Sequence, residues 1–287
     1  MALKKIEDDT AKDVQNVINE IEDEKMQKLD DNIQTDEDGI VRDVPLLAGI
    51  EYNGELLKTF SYREMNGRDE EAINKNEVRS NGAKFALTLV ERCVFDIGGV
   101  TKKEVGLSEW KNLVRKALSA DITYMMMKIR QISLGNDVEV SSKCPRCQTK
   151  LKTIVGINEI EEDIIPFSGN FEIPFELPSK GYKDIHGNYH KTGSLRMPCG
   201  EDLEIVIPEM AKNVSSGTTL LLTRIISFDD GTKPMKDRIA NMGTRDRRYL
   251  EELLNDNTFG MRETVEITCV NCGEVMEVGF GSSVNFF

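Results

Sequence analysis

The chain has 287 residues, with 50 Asp and Glu against 37 Lys and Arg for a formal charge of −13. That length suffices for one large domain or two modest ones with buried cores, and the acidic balance repels phosphate backbones, so nucleic acid is not an expected partner. No apolar run approaches the roughly 20 residues that span a bilayer, and the opening MALKKIEDDTAKD turns acidic where a secretory signal would be apolar, so the chain reads as soluble, not secreted and without a membrane partner.

Residues 1–44 read as an acidic N-terminal arm, partly disordered or ordered by a partner, with Val14, Val17, Ile18, Ile21 and Leu29 marking one amphipathic stretch. A first half is expected over 45–155. Within it, Asp121 reads as a helix N-cap ahead of Tyr124, Met125 and Ile129, and Gly135 as the glycine that ends that helix. The tandem Met125, Met126 and Met127 read as packing residues. Val138 and Val140 alternate into the Cys144-Pro-Arg-Cys147 turn, and Leu151, Ile154 and Val155 lead out of it.

An acidic linker follows over 156–170, including Asn158–Asp163. The second half, 171–287, opens on the alternating Phe171–Pro178 and a turn at Ser179, Lys180 and Gly181. His186 and His190 are four apart, but Gly187 and Asn188 argue against a metal-binding helix, so both are expected on an exposed hairpin. Arg238, Arg245, Arg247 and Arg248 are interleaved with Asp237, Asp246, Glu251 and Glu252, the pattern of a solvated helix face. Asp246 reads as a second N-cap ahead of Tyr249, Leu250 and Leu254, and Gly260 as a second helix stop. Val265 and Ile267 lead into Cys269-Val-Asn-Cys272, and Val275, Met276 and Val278 lead out. The apolar end, Val284–Phe287, is expected to bury itself in its own fold or in a neighbour.

These two series line up. The offset from Cys144 to Cys269 is 125 residues, and the same offset pairs Val140 with Val265, Gly135 with Gly260, Tyr124 with Tyr249 and Asp121 with Asp246. Further upstream an offset of 133 pairs Ser61 with Ser194, Arg63 with Arg196, Gly67 with Gly200 and Asp69 with Asp202. It continues through Leu87 with Leu220, Leu89 with Leu222, Phe95 with Phe228 and Asp96 with Asp229. An internal duplication is the expectation, against the alternative of two unrelated strand-helix-strand stretches.

Each CxxC turn supplies half of a tetrahedral metal site. Together Cys144, Cys147, Cys269 and Cys272 would make a closed four-cysteine set with no position left for water, which predicts one structural Zn2+ joining the halves. A redox role would require a CxxC at the start of a helix, whereas strands flank both motifs here. Separate metal pairs and idle thiols are the remaining alternatives. Cys93 and Cys199 stand alone and read as small hydrophobic residues. The fold class that follows is α+β, two duplicated halves of β-hairpins, helices and one CxxC hairpin each, joined at a zinc-ribbon-like site.

No nucleophile elbow, HExxH, phosphate loop or dinucleotide fingerprint occurs, and two histidines leave little for acid-base work. No catalytic residue and no small-molecule substrate are expected. One rival reading is a zinc ribbon that binds nucleic acid: Lys143, Arg146, Lys150 and Lys152 surround the first knuckle, though Glu266, Glu274 and Glu277 surround the second. A metal-stabilised hydrolase or transferase is another, and would need convergent carboxylates in a cleft.

The LPSKG turn at Leu177–Gly181, the segment Leu195–Asp202, the Asp-Tyr helix, the knuckle TCVNCG and the final FF resemble, in that order, the baseplate hub assembly proteins of contractile-tailed bacteriophages. The resemblance covers roughly residues 45–287. It implies a non-enzymatic scaffold or assembly protein whose partners are other tail baseplate hub proteins, located in the host cytoplasm during assembly or in the virion tail baseplate. The first half departs from the pattern, with LLAGIEYNG at Leu46–Gly54 in place of a PSKG-like turn.

Overall fold

Strand β1 (Ile40–Tyr52) turns through Asn53 and Gly54, both at positive φ (51° and 83°), into β2 (Glu55–Arg63). An Asn-Gly pair suits such a two-residue hairpin because both positions require the left-handed region. The computed structural model describes residues 34–262 and 264–279. Most of the expected N-terminal arm, including its amphipathic stretch, and the Val284–Phe287 end lie outside the described residues, while β1 opens inside the segment assigned to that arm.

After β2 come helices α1 (Gly67–Ile73), α2 (Asn76–Arg79) and α3 (Gly82–Cys93), then β3 (Val94–Ile97), β4 (Val100–Thr101), α4 (Lys102–Lys116) and α5 (Ser119–Leu134). Helix α4 breaks at Gly106, φ 80°. The antiparallel sheet β1-β2-β3-β4 covers a core containing Phe60, Tyr62, Leu89, Trp110, Met125 and Met127. The hairpin β5 (Asp137–Lys143) and β6 (Lys150–Gly156) follows, and a short helix α6 (Ile157–Glu162) begins the expected linker, burying Ile157 and Ile160.

The second half runs β7 (Glu172–Glu176), β8 (Tyr182–Lys183), β9 (Tyr189–His190), β10 (Thr192–Arg196), α7 (Gly200–Lys212), α8 (Val214–Ile225), β11 (Ile226–Phe228), α9 (Lys236–Ala240), α10 (Thr244–Asp256) and the hairpin β12 (Thr264–Thr268) with β13 (Val275–Gly279). Its sheet β11-β10-β7 places β10 centrally, as β2 is placed between β1 and β3. A second core gathers Phe175, Leu195, Val206, Leu222, Phe228 and Leu250.

The two bodies are tied at several places. Ala48 is buried in the second core, with Leu47, Leu118 and Ala120 packed against it, and Met261 is buried in the first. Isolated bridges join Leu118 to Cys199 and Ile165 to Gly260. Gly200 sits so close to the first half that a Cβ there would lie 2.6 Å from Ile122 Cδ1 and 2.7 Å from Leu87 Cδ2.

The same local devices recur in both halves. Asn81 caps α3 and Asn213 caps α8 through side-chain oxygens, and Arg92 and Arg224 follow at the same spacing in those helices. These pairs are 132 residues apart, one fewer than the 133 expected across that stretch. In β3 the register slips between Ser61 and Tyr62, leaving Phe95 as a bulged residue that stands 42% exposed, whereas Phe228 is buried. Phe95 and Phe228 are therefore not in equivalent positions.

Two expected N-caps are not formed. Leu118 and Gly243 occupy the cap positions, and Asp121 and Asp246 lie in the first helical turn, buried. Each carboxylate instead binds backbone N–H groups of a distant loop. Asp121 accepts from Leu47 (2.7 Å), Ala48 (3.2 Å) and Gly49 (3.2 Å), residues that loop out of β1 between Pro45 and Ile50. Asp246 accepts from Ser179 (2.7 Å) and Gly181 (2.9 Å). Burial pushes Asp121 up to about 6 against the pull of its three amides. Gly135 does end α5, at φ 86°, but α10 stops at Asn257, and Gly260 serves in the bridge to Ile165.

Candidate metal centre

Both CxxC motifs sit on strand-turn-strand hairpins, as the alternating residues around them require. In the first, Cys144 N–H donates to the Thr149 carbonyl (2.9 Å), Gln148 N–H donates to the Cys144 carbonyl (2.9 Å), and Gln148 takes φ 60°. In the second, Cys269 N–H donates to the Glu274 carbonyl (2.8 Å), Gly273 N–H donates to the Cys269 carbonyl (2.9 Å), and Gly273 takes φ 72°. The turns are the same turn, with glycine in one and glutamine in the other at the left-handed position.

The hairpins bring all four sulfurs together. Cys144 Sγ lies 3.6 Å from Cys272 Sγ, Cys147 Sγ lies 3.6 Å from Cys269 Sγ, and the four atoms all fall within 4.8 Å of one another. A tetrahedron with Zn–S bonds of about 2.3 Å has edges of about 3.8 Å, so the set fits one zinc-sized ion. Soft thiolates suit zinc and exclude calcium or magnesium, which take oxygen. With four protein ligands no position is left open for water or substrate, which is the structural kind of site.

Cys144 and Cys269 are buried, and Leu151 and Met276 pack beside them. The Thr149 hydroxyl, 3.1 Å from Cys147 Sγ, and the Asn271 side chain draw the Cys147 thiol down to about 5, giving one ligand in its thiolate form at neutral pH. Cys272 moves the other way, to about 12: the Glu274 N–H favours its thiolate, but burial and the neighbouring sulfurs outweigh it. A bound cation would displace that proton. Leu151 and Met276 are the strand residues expected to lead out of each knuckle, whereas Thr149 carries no spacing signal beyond its place two residues after Cys147.

The other singled-out residues lie away from this cluster. Cys93 is fully buried, and burial pushes its thiol up to about 12. Cys199 caps α7, its Sγ 3.2 Å from Asp202. His186 is exposed as expected, but His190 is not: its side chain is 10% exposed, with Nδ1 2.6 Å from Asp230 Oδ2 and Nε2 3.2 Å from Asp184 Oδ2. The ring packs beside Tyr182 and Phe228, so the hairpin turns it inward. Around the knuckles, Arg146 faces Glu274 (3.5 Å) and Lys152 faces Glu139 (2.7 Å), pairing two of the cations that a nucleic-acid reading needs.

Two of the matched residue pairs, Arg63 with Arg196 and Asp69 with Asp202, belong to a pair of charge clamps. Asp202, fully buried, receives Arg196 Nη1 (2.5 Å) and Nη2 (2.9 Å) and Arg224 Nε (2.7 Å). Asp69, 1% exposed, receives Arg63 Nη1 (2.7 Å) and Arg92 Nε (2.8 Å). Arg63 and Arg196 each also donate to a backbone carbonyl, of Arg92 and Arg224 respectively. Burial opposes the charge on both aspartates, but the arginines prevail: Asp202 falls to about 2 and Asp69 is lowered too. The usable signal is an Arg and an Asp six residues apart in both halves.

No helix among the described residues is long and apolar enough to cross a membrane. No curated protein and no solved structure matches the chain. A family model described as T4 bacteriophage base plate protein matches residues 50–287, all but the first 49 residues. With that span covered, the chain belongs to the T4 bacteriophage base plate protein family, the structural tail proteins that work in the virion baseplate against other tail proteins.

Proposed function

We propose that this chain is a non-enzymatic structural or assembly protein of the baseplate hub, in which one Zn2+ held by Cys144, Cys147, Cys269 and Cys272 rigidifies the surface offered to neighbouring hub proteins. The observation that carries the metal is the approach of two pairs of thiols to 3.6 Å from hairpins over a hundred residues apart in sequence. The baseplate setting comes from the family, and the hub from the order of the motifs along the chain. The protein is assembled in the host cytoplasm in this reading, before or while joining the tail.

The halves 45–155 and 171–287 are read as copies of one ancestral unit joined by residues 156–170. Recurrence of the Arg-Asp-Arg clamp, the asparagine cap, the Asp-to-loop tie and the knuckle supports this. Such a chain acts by holding surfaces in fixed relation, with no bond chemistry.

Two measurements test the reading. Elemental analysis of the purified protein should give one zinc per chain; a metal-free protein that also fails to take up added zinc removes the site. Cross-linking mass spectrometry on assembling and finished tails should place the chain beside hub proteins; cross-links confined to the outer baseplate remove the hub assignment.

A further inference from the structure

Zinc at the four cysteines would serve the two halves unequally. In the first hairpin, Val138, Val140, Leu151 and Val155 are buried, and all but Leu151 belong to the first core. That hairpin is anchored in its body by side chains other than the cysteines. In the second hairpin, Cys269 is the one buried residue among 264–279. Val265, Ile267 and Val278 are only partly buried against the first core, and Met276 only partly against the cysteines.

Among the described residues, the remaining ties of β12–β13 to the first half are few and weak, the Asn271 side chain beside Cys147 being one. Arg146 and Glu274 form an exposed pair at 3.5 Å, and the Ser142 hydroxyl meets Met276 Sδ at 3.6 Å. The two strands pair with each other and with no further strand among the described residues. An isolated two-stranded hairpin is marginal in water, and exposed ion pairs add little. The contacts between the bodies lie elsewhere. The Leu118–Cys199 and Ile165–Gly260 bridges, the close packing of Gly200 and the burial of Ala48 in the second core involve no residue of the hairpin. The Ile165–Gly260 bridge also pins the chain just before β12 begins.

We infer that the metal acts as a local latch on the C-terminal hairpin: losing it frees residues 264–279 from the first half while both bodies stay folded and joined. This rests on the metal site proposed above and adds what that site controls. The consequence is a zinc-dependent surface, docked or released as one unit beyond Met261, which stays buried in the first core. Releasing it uncovers the parts of the first core under Val265, Ile267 and Val278, next to Leu151 and the first knuckle.

The test is hydrogen exchange followed by mass spectrometry on the full-length protein, zinc-loaded and after removal of zinc with a strong chelator. On chelation, amides in 264–268 and 275–279 should exchange at least tenfold faster, while those of α5, α8 and β10 keep their rates. The variant Cys272→Ser, purified without added metal, should show the same local pattern. Loss of protection in α5 and α8 together with the hairpin would overturn the latch, since the metal would then hold the whole chain. Unchanged protection in the hairpin after proven zinc removal would overturn it as well. A protein that never binds zinc defeats the metal site itself, and elemental analysis run alongside separates that outcome from the other two.

Discussion

Cys144 and Cys272 hold their sulfurs 3.6 Å apart across 128 residues of chain, one from each CxxC hairpin. Cys147 and Cys269 hold theirs at the same distance across 122 residues. Each knuckle thus faces the other, so that an ion bound there would be shared by both rather than one held by each. Cys144→Ser and Cys272→Ser, each made alone, are expected to lose most of the bound zinc. Retention of about half the metal in either variant, read by elemental analysis, would instead indicate two separate sites.

The clamped aspartates should dominate the stability of the charged network. Asp202→Ala leaves Arg196 and Arg224 without their shared buried partner, and is expected to cost about 3 kcal/mol or more in urea unfolding. Glu204→Gln breaks the partly exposed ion pair with Arg115 and should cost about 1 kcal/mol or less. Equal losses would show that burial of Asp202 carries no special weight.

Acid sensitivity follows from the same group. Asp202 sits at about 2 in the folded chain against about 3.9 when unfolded. The folded state therefore binds this proton more weakly. Its stabilising contribution, on the order of 2 kcal/mol, is complete above pH about 4 and is lost as the pH falls through about 2. Carbon NMR of the Asp202 carboxyl should titrate about two pH units below the exposed aspartates, and a midpoint near 4 would remove the contribution.

Glycine positions separate strain from crowding. Gly181 takes φ 83°, and an added Cβ would lie 2.4 Å from the His190 carbonyl oxygen. Gly231 takes a similar φ, 79°, with nothing within 4 Å. Gly231→Ala should cost about 1 kcal/mol from the backbone alone, and Gly181→Ala at least about 2 kcal/mol more because a backbone oxygen must move. Melting curves of the two variants check the difference.

The hairpins that carry the cysteines were legible because the alternation of Val138 with Val140, and of Val265 with Ile267, is a short-range signal flanking a turn of fixed spacing. What failed depends on partners far away in sequence. An aspartate near a helix start reads as a cap, and nothing local tells Asp121 from a capping residue when its donors, Leu47 to Gly49, lie over seventy residues upstream. The clamps were half visible: Arg63 with Arg196 and Asp69 with Asp202 already matched, but an offset one residue too long set Arg92 against Ile225 and hid its likeness to Arg224. The bulge at Phe95 misled for the same reason, since a single inserted residue moves every later match without altering composition. Gly187 and Asn188 argue against a helix and so point His190 to an exposed hairpin, but Asp184 and Asp230 give the ring two polar partners that let it turn inward.

Asp121 and Asp246 grip their loops through backbone N–H groups, which every residue except proline can offer. A loop held that way keeps its path while its side chains drift. LLAG at Leu46–Gly49 and PSKG at Pro178–Gly181 share a final glycine and no other residue, yet each meets a buried carboxylate through its backbone. The side chains of those two loops are therefore places where each half could acquire its own neighbour without loosening its frame.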